Sequence, residues 1–443
     1  MVKKHDWYRM RGYIHFDAPI GLKKATAIVT NTNSVATHAF FPLVHYTIES
    51  FKVVKNDQGE VEKKVKQRPI AYAGHLDSHI YSYYSRLLSA KYEVALKERG
   101  LDKNVIAFRA LGKSNINFAN DAFEEIKKRR SCSAIALDIT GFFDNLDHQI
   151  LKEHWCYLLG ADKLPNDHFN VFRSITRFSK VCRDTVYERL KIAKNNPKNG
   201  RFKICEPEVF RRVIRADKLI QVNADSKGVP QGSPISALLS NIYMLTFDVA
   251  AKNIAEQYDG CYYRYCDDML FIVPTAYKDL VEKAVMAEIA KVKLDINPKK
   301  TEIRDFWPFG SVMQSNKPLQ YLGFIFDGQH KLIRSAALAK FSGRMKSGVR
   351  LAKKTQRKAN YREIIAGKEV TRLFKHKLYE RYSHLSNRNF VTYGYRAAKI
   401  MQSQAIRKQL KPLWGRLQKE IVDDNPLFNM TLSDMLFSTH KQP

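Results

Sequence analysis

The sequence has no apolar run approaching the roughly 18 to 20 residues that cross a bilayer. Its start, Met1-Val-Lys-Lys-His-Asp-Trp7, lacks the apolar core of a secretory signal. Both absences argue against a membrane or secreted protein and lead to an expected cytoplasmic location. Cysteine is scarce: six residues, at 132, 156, 182, 205, 261 and 266, stand singly with no C-x-x-C pair, which excludes a disulfide framework and a zinc knuckle and fits reduced thiols. His75 and His79 could share a helix face, but no third ligand stands near them in sequence. Internal repeats and low-complexity segments are also missing. Negative charge is the other shortage, with 44 Asp and Glu against 75 Lys and Arg.

The resulting net charge of +31 on 443 residues implies a polyanionic partner. Nucleic acid is the first candidate and an acidic membrane surface the second. Hydrophobic residues make up 44% of the chain, enough for a sizeable core shared among two or three domains.

Residues 1–50 read as an N-terminal extension whose basic aromatic stretch, Trp7 to Tyr13, either packs on the later chain or touches nucleic acid. Ile48 to Val54 and Val61 to Ala73 read as strands around a turn at Asn56-Asp-Gln-Gly59, a ribbon carrying Lys63, Lys64, Lys66 and Arg68. Leu76 to Arg99 has helical spacing with a stop at Gly100, Val105 to Arg109 reads as a short strand, and a helix is expected from about Asn117 to Arg130. The polar stretch between Lys152 and Lys227 includes Lys191 to Lys203, which looks like an exposed loop or hairpin. Gly228-Val-Pro-Gln-Gly-Ser-Pro-Ile-Ser236 is a turn with a serine N-cap ahead of a helix from Ala237 to Val249. A helix from about Ala276 to Val292 follows, then a turn and strand through Leu294 to Ile303, and Gln320 to Phe326 reads as one further strand. From Ala336 onward the chain is helical, strongly basic and a domain of its own.

Two places concentrate acids among apolar residues. The apolar strand Ser133 to Ile139 delivers Asp138 at its end, and Tyr262 to Val273 reads as a hairpin with Asp267 and Asp268 at its turn. Adjacent strand residues face opposite sides, so the two aspartates are not equivalent. Unpaired carboxylates in such surroundings are costly, and a divalent cation relieves the cost.

Taken together, Leu137-Asp-Ile-Thr-Gly-Phe-Phe-Asp-Asn-Leu-Asp-His148, Gly228-Val-Pro-Gln-Gly-Ser-Pro234 and Tyr265-Cys-Asp-Asp268 resemble the three central motifs of reverse transcriptases, in order. Lys66-Gln-Arg-Pro-Ile70, Asn297-Pro-Lys-Lys-Thr301 and Leu322-Gly-Phe324 resemble the fingers motif, the motif with a lysine beside the triphosphate, and the primer grip. The resemblance covers about residues 60 to 330. It implies an α+β fold, with a right-hand polymerase fingers and palm (antiparallel sheet with packed helices) over 51–330 and an α-helical basic thumb over 331–443. The implied activity is RNA-directed DNA synthesis from dNTPs with two Mg2+ ions, Mn2+ being a substitute.

Residue by residue, the resemblance makes Asp138 and Asp267 bridging metal ligands, with Asp268 more peripheral and the carbonyl of Ile139 completing one metal. Lys300 is the proton or charge donor to the pyrophosphate, with Lys299 as fallback. Gln231 lies against the incoming nucleotide, and Phe143 sits under the sugar, where a ring excludes a 2′-hydroxyl. The chain departs from intron-type enzymes, reading Leu76-Asp77-Ser78 where an Asp-Arg pair is expected. That leaves Arg68 as first triphosphate contact, then Arg109 and Lys113. Arg344, Lys346, Arg350, Lys353, Lys354, Arg357 and Lys358 are expected to hold a template duplex or structured RNA by its backbone.

No endonuclease Cys/His cluster follows the basic helices, and the Val-Thr-Gly signature of retron enzymes is absent. The Gln-Gly-Ser-Pro motif differs from that of diversity-generating enzymes. The chain therefore looks most like the bacterial defence-associated "unknown group" reverse transcriptases, which resemble polymerases that copy a dedicated non-coding RNA into cDNA during phage infection. Untemplated or protein-primed synthesis, and an RNA-binding protein with a vestigial site, are the alternatives. Primer, trigger and oligomeric state stay open.

Overall fold

The computed structural model describes residues 6–55 and 59–422. The turn expected at Asn56 to Gly59 falls largely outside them, as do residues 1–5. The fold is α+β. Strands β1 (Leu43–Lys55) and β2 (Val61–Tyr72) pair antiparallel from Val44↔Tyr72 to Lys55↔Val61, forming the expected ribbon. Strand β3 (Cys132–Asp138) comes next, then β4 (Ser179–Cys182) and β5 (Gln221–Val222), which extend the ribbon into a sheet of order β2-β1-β4-β5. A five-stranded sheet has the order β6-β7-β3-β8-β9, where β6 is Cys261–Tyr265, β7 Asp268–Val273, β8 Glu302–Phe309 and β9 Val312–Ser315. Strands β10 (Leu319–Tyr321), β11 (Phe324–Phe326) and β12 (Lys331–Ile333) form a small antiparallel sheet. The stretch read as one strand from Gln320 is thus a hairpin, because Leu322 and Gly323 both take positive φ (47° and 92°) and reverse the chain.

By packing, the chain forms two compact units. The first takes residues up to 110 and 135–303, the second 111–134 and residues from 304 onward. This division differs from boundaries at 50 and 330: residues 6–50 pack into the first unit, and the helix Asn115–Arg129 belongs with the C-terminal part.

In the first unit, the helix His75–Glu98 runs through the core, burying Ile80, Tyr84, Leu88 and Tyr92. Of the two roles open to the Trp7–Tyr13 stretch, packing accounts for its aromatics. Trp7 meets His79 and Tyr83 edge-on at 6.0 and 5.7 Å, and Tyr8 stacks on His79 at 4.7 Å. The Asp17 carboxylate accepts the amides of His75 and Leu76 at 2.8 and 2.9 Å, an anion at the helix start. Burial pushes the imidazoles of His75 and His79 down, His79 to about 4, and both are core residues.

Other expectations are corrected. Val105 to Arg109 is no strand, only a single bridge from Val105 to Arg264. The polar stretch after Lys152 opens with helices His148–Leu159, Asn166–Thr176 and Arg183–Arg189, while Lys191 to Lys203 is the expected loop, without helix or strand. The helices' apolar positions, such as Val171, Phe172 and Ile175, lie on one narrow face that average polarity conceals. Ser236 is not an N-cap: its hydroxyl donates to the Pro230 carbonyl at 2.7 Å inside the turn. The helix it opens ends at Tyr243 and restarts as Leu245–Gln257.

In the second unit, Phe123 stacks on Phe326 at 5.0 Å and Lys331 donates to Asn120 at 2.6 Å, anchoring the 115–129 helix to the small sheet. The long helix Ser335–Ile365 buries Phe341, Met345 and Val349 and leaves a basic outer face, followed by helices His376–Tyr382, Phe390–Ile400, Gln404–Leu410 and Pro412–Val422. Among the described residues no helix is long and apolar enough to cross a membrane. None of the six cysteines forms a disulfide.

Candidate active site

Strands β6 and β7 turn on two residues, Cys266 and Asp267, with Tyr265 paired to Asp268. Cys266 has φ 62°, the left-handed geometry a two-residue hairpin turn requires. Strand β3 neighbours β7 in the sheet, and the Ile139 amide donates to the Asp267 carbonyl at 3.3 Å. The end of one strand and the turn of the next thus bring Asp138, Asp267 and Asp268 together. The segment after the 278–291 helix closes the other flank, where the amides of Thr140 and Asn297 donate to the carbonyls of Asp295 and Asp138, each at 2.8 Å. That clamp delivers Lys300, whose Nζ donates to Asp138 Oδ1 at 2.5 Å.

The two neighbouring aspartates differ. Partial desolvation, then the charges of Asp267 and Asp138, raise the Asp268 carboxyl to about 6, against a partial offset from Lys300. Three acids facing one lysine leave the cluster net negative, and all-oxygen donors of this kind suit a hard divalent cation. Among the described residues, no three His, Cys, Asp or Glu side chains are placed so that together they could hold a metal ion; Lys300 occupies one oxygen of Asp138. A raised carboxyl favours the metal-free protein below pH 6, since its folded-state pKa exceeds the unfolded value and stability falls as pH rises from about 4 to 6. Cation binding requires the ionised form, so Mg2+ should raise the thermal unfolding midpoint clearly above pH 6 and little well below it. Equal increments at both pH values would remove Asp268 from the site.

The turn 228–236 is stitched to the same region. Val229 donates its amide to the Phe143 carbonyl at 2.8 Å, and the Gln231 carbonyl accepts from the Ala71 amide at 2.8 Å. Gly232 has φ 112°, and a Cβ there would lie 2.5 Å from the Ala71 carbonyl, so only glycine permits the approach. Gln231 is thereby set at the end of β2, the strand that carries the exposed Arg68. Phe142 is buried and Phe143 only partly so, the rings tilted at 5.6 Å.

Residues 174–326 match the family model described as reverse transcriptase (RNA-dependent DNA polymerase). The chain carries a reverse transcriptase domain. The matched part takes in Gln231, Asp267, Asp268 and Lys300 and begins after Asp138. No curated protein matches the chain in sequence. Among solved structures, a C-terminally truncated apo telomerase from Candida tropicalis aligns at 14% identity and TM-score 0.40, over 66% of this chain and 57% of its own. The apo telomerase of the same organism aligns at 12% and 0.42, over 96% and 75%. Telomerase from Candida albicans with a fragment of telomeric RNA aligns at 10% and 0.36, over 94% and 68%. The chain thus spans little more than half of the first and about three quarters of the second.

Around the acids of the reverse transcriptase domain, the structure adds a brace that the motifs did not reveal. Arg264, fully buried on β6, donates to both oxygens of Asp248 at 2.7 and 2.6 Å. Its other terminal nitrogen reaches Asn241 Oδ1 at 3.0 Å and the Cys266 carbonyl at 3.2 Å, one residue before Asp267. Tyr262 also donates to Asp248, at 2.8 Å. The signal was present in the sequence: Arg264 falls on the buried side of an alternating strand, where a cation requires an acid, and Asp248 is the acid amid the apolar 245–257 helix.

Arg109 is corrected. Its guanidinium gives four of its five N–H groups to both oxygens of Glu93, at 2.8 and 2.6 Å, and to the carbonyls of Asp102 and Val105, and its side chain is 3% exposed, so it braces the fold instead of facing a triphosphate. Lys113 belongs to the second unit, where it pairs with Asp121 at 2.8 Å. On the 335–365 helix, Lys346, Arg350, Lys354 and Lys358 recur every fourth residue and are exposed, while Arg344 is exposed beyond them and Lys353 and Arg357 are half-buried. Four residues advance the helix about 6 Å, so these cations form a regular stripe.

Proposed function

We propose that the chain is a reverse transcriptase copying a dedicated non-coding RNA into cDNA, acting in bacterial antiphage defence. The carrying observation is the meeting of Asp138, Asp267, Asp268 and Lys300 at the ends of adjacent strands, in a chain whose reverse transcriptase domain is set by sequence. Fingers and palm correspond to about 51–330 and the thumb to 331–443. The carboxylates of Asp138, Asp267 and Asp268 and the carbonyl of Ile139 would hold the divalent ions, Mg2+ with Mn2+ as substitute, whose charge serves an in-line displacement at phosphorus.

The chain's own groups do the rest. Lys300, paired with Asp138, offers a proton or its positive charge to the departing pyrophosphate. Arg68 reaches from β2 toward the triphosphate, and Gln231, fixed through Ala71, lies along the nucleotide. The stripe on the 335–365 helix, with Arg344, Lys353 and Arg357 beside it, takes phosphates of the RNA template and the growing cDNA. Phe143 is the sugar gate, its backbone pinned by Val229. Phe143→Ala should lower discrimination against ribonucleotides about 10- to 100-fold, measured by single-nucleotide incorporation; unchanged selectivity would move the gate elsewhere.

The deciding experiment sequences the nucleic acids that copurify with the protein from its native host, with Asp267→Asn alongside. One dominant small RNA with complementary DNA that vanishes in the variant is the expected result. DNA without a matching template, or DNA covalently retained by denatured protein, would replace the proposal with untemplated or protein-primed synthesis. Heterogeneous RNA without complementary DNA would leave only RNA binding.

A further inference from the structure

The C-terminal unit contains a cleft of about 440 Å³ where the 335–365 helix faces the 376–382 helix and the segment leading into the 390–400 helix. Its rim carries four cations, Lys340, Arg344, Arg381 and Arg388, all exposed. Among the described residues none of them has an ion-pair partner, and Glu380 is the one carboxylate lining the cleft. Four unneutralised cations around so small a volume repel one another, so the arrangement favours an anion.

The floor is aromatic. Phe341 and Phe390 stack at 4.9 Å, and Tyr382 meets Phe341 edge-on at 6.1 Å. Tyr382 lies across the helix because residue 348 is glycine: a Cβ there would stand 2.3 Å from the tyrosine hydroxyl. The rim is also fixed in place. Asn389 caps the 390–400 helix through the amides of Val391 and Thr392, and its side-chain nitrogen donates to the carbonyls of Glu380 and Ser383 at 2.8 and 2.6 Å. Those bonds hold the neighbours Arg381 and Arg388 on either side of the opening.

We infer that this cleft binds one nucleotide bearing a terminal phosphate, its base or sugar face on the aromatic floor and its phosphate among the arginines. The volume falls within the roughly 300–1,000 Å³ of small-ligand sites and is too small for a duplex. A chain-internal phosphodiester carries one charge, whereas a terminal monophosphate carries close to two at neutral pH and offers three oxygens to forked guanidinium groups. Rings supply a surface that accepts any base. The inference rests on the nucleic-acid reading of the adjoining helix, yet it concerns a discrete cleft apart from the stripe of Lys346, Arg350, Lys354 and Lys358. The nucleotide is either the 5′ end of a strand or a free mononucleotide.

The test compares one single-stranded oligonucleotide, labelled at its 3′ end, in 5′-phosphate and 5′-hydroxyl forms, by fluorescence anisotropy with the full chain. The 5′-phosphate form should bind about tenfold more tightly. The Arg381→Gln/Arg388→Gln double variant should lose that advantage while binding the 5′-hydroxyl form as before. Millimolar AMP that erases the advantage assigns the cleft to a free nucleotide, and AMP without effect assigns it to a strand end. Equal affinity of both forms for the unaltered protein, or an advantage that survives in the double variant, overturns the inference and leaves the backbone stripe standing. Failure to bind either form overturns both.

Discussion

Replacing Asp138 or Asp267 with asparagine should lower primer extension about a thousandfold or more while leaving the fold intact. The two halves of this result have separate causes. Each substitution removes a full charge from the cluster at the ends of β3 and β7, and Asp138→Asn also dissolves the ion pair that positions Lys300 at 2.5 Å. The local framework depends on backbone groups instead: the Asp267 carbonyl takes the Ile139 amide and the Asp138 carbonyl takes the Asn297 amide, and both remain in the variants. Unfolding midpoints close to that of the parent protein, together with lost extension, are therefore expected. Extension within a few-fold of the parent would overturn the site assignment, and a large fall in the unfolding midpoint would show that the side chains hold the strands together.

The second large effect is on stability. Asp248→Ala should cost about 3 to 5 kcal/mol, because it leaves a fully buried guanidinium without its counter-charge and orphans the Tyr262 hydroxyl. Denaturant unfolding of the full chain measures it. The apolar double variant Asp248→Leu/Arg264→Met should recover much of that loss, since a buried ion pair contributes little net stability once both desolvation costs are removed. Recovery of stability without recovery of activity would show that Arg264 serves the turn, through its bond to the Cys266 carbonyl, more than it serves the core. A loss under about 1 kcal/mol in the single variant would mean that water reaches the pair.

Local pattern made much of this legible. An aromatic run before Asp267 and Asp268 and an apolar, β-prone run after them announced the hairpin, and helical spacing announced the 75–98 helix to within a residue of each end. The acids at strand ends stood out because such positions are normally apolar or turn-forming. What failed to show was non-local. Arg109 and Arg68 look alike in sequence, and only the placement of Glu93 and two carbonyls shows that Arg109 is committed. Ser236 has the composition of an N-cap, but the turn folds back so that its hydroxyl meets Pro230 instead of a helix amide. The hairpin between β10 and β11 was hidden because Leu322 takes positive φ, a geometry leucine rarely adopts and sequence rarely signals. The Arg264 brace joins three segments whose partnership no single window contains.

The assignment of the 115–129 helix to the C-terminal unit sets a timetable for synthesis. Lys331, which anchors that helix through Glu124 and Asn120, is made 207 residues after Glu124, roughly 10 to 40 s later at ordinary rates of translation. Tyr393, which receives the Asn115 amide at 2.9 Å, comes later still. Over that interval Phe118, Phe123 and Ile126, all buried in the finished protein, await part of their cover while the chain grows past them. A ribosome that stalls before the small sheet emerges leaves a nascent chain whose helix has part of its apolar face uncovered, a natural substrate for a chaperone.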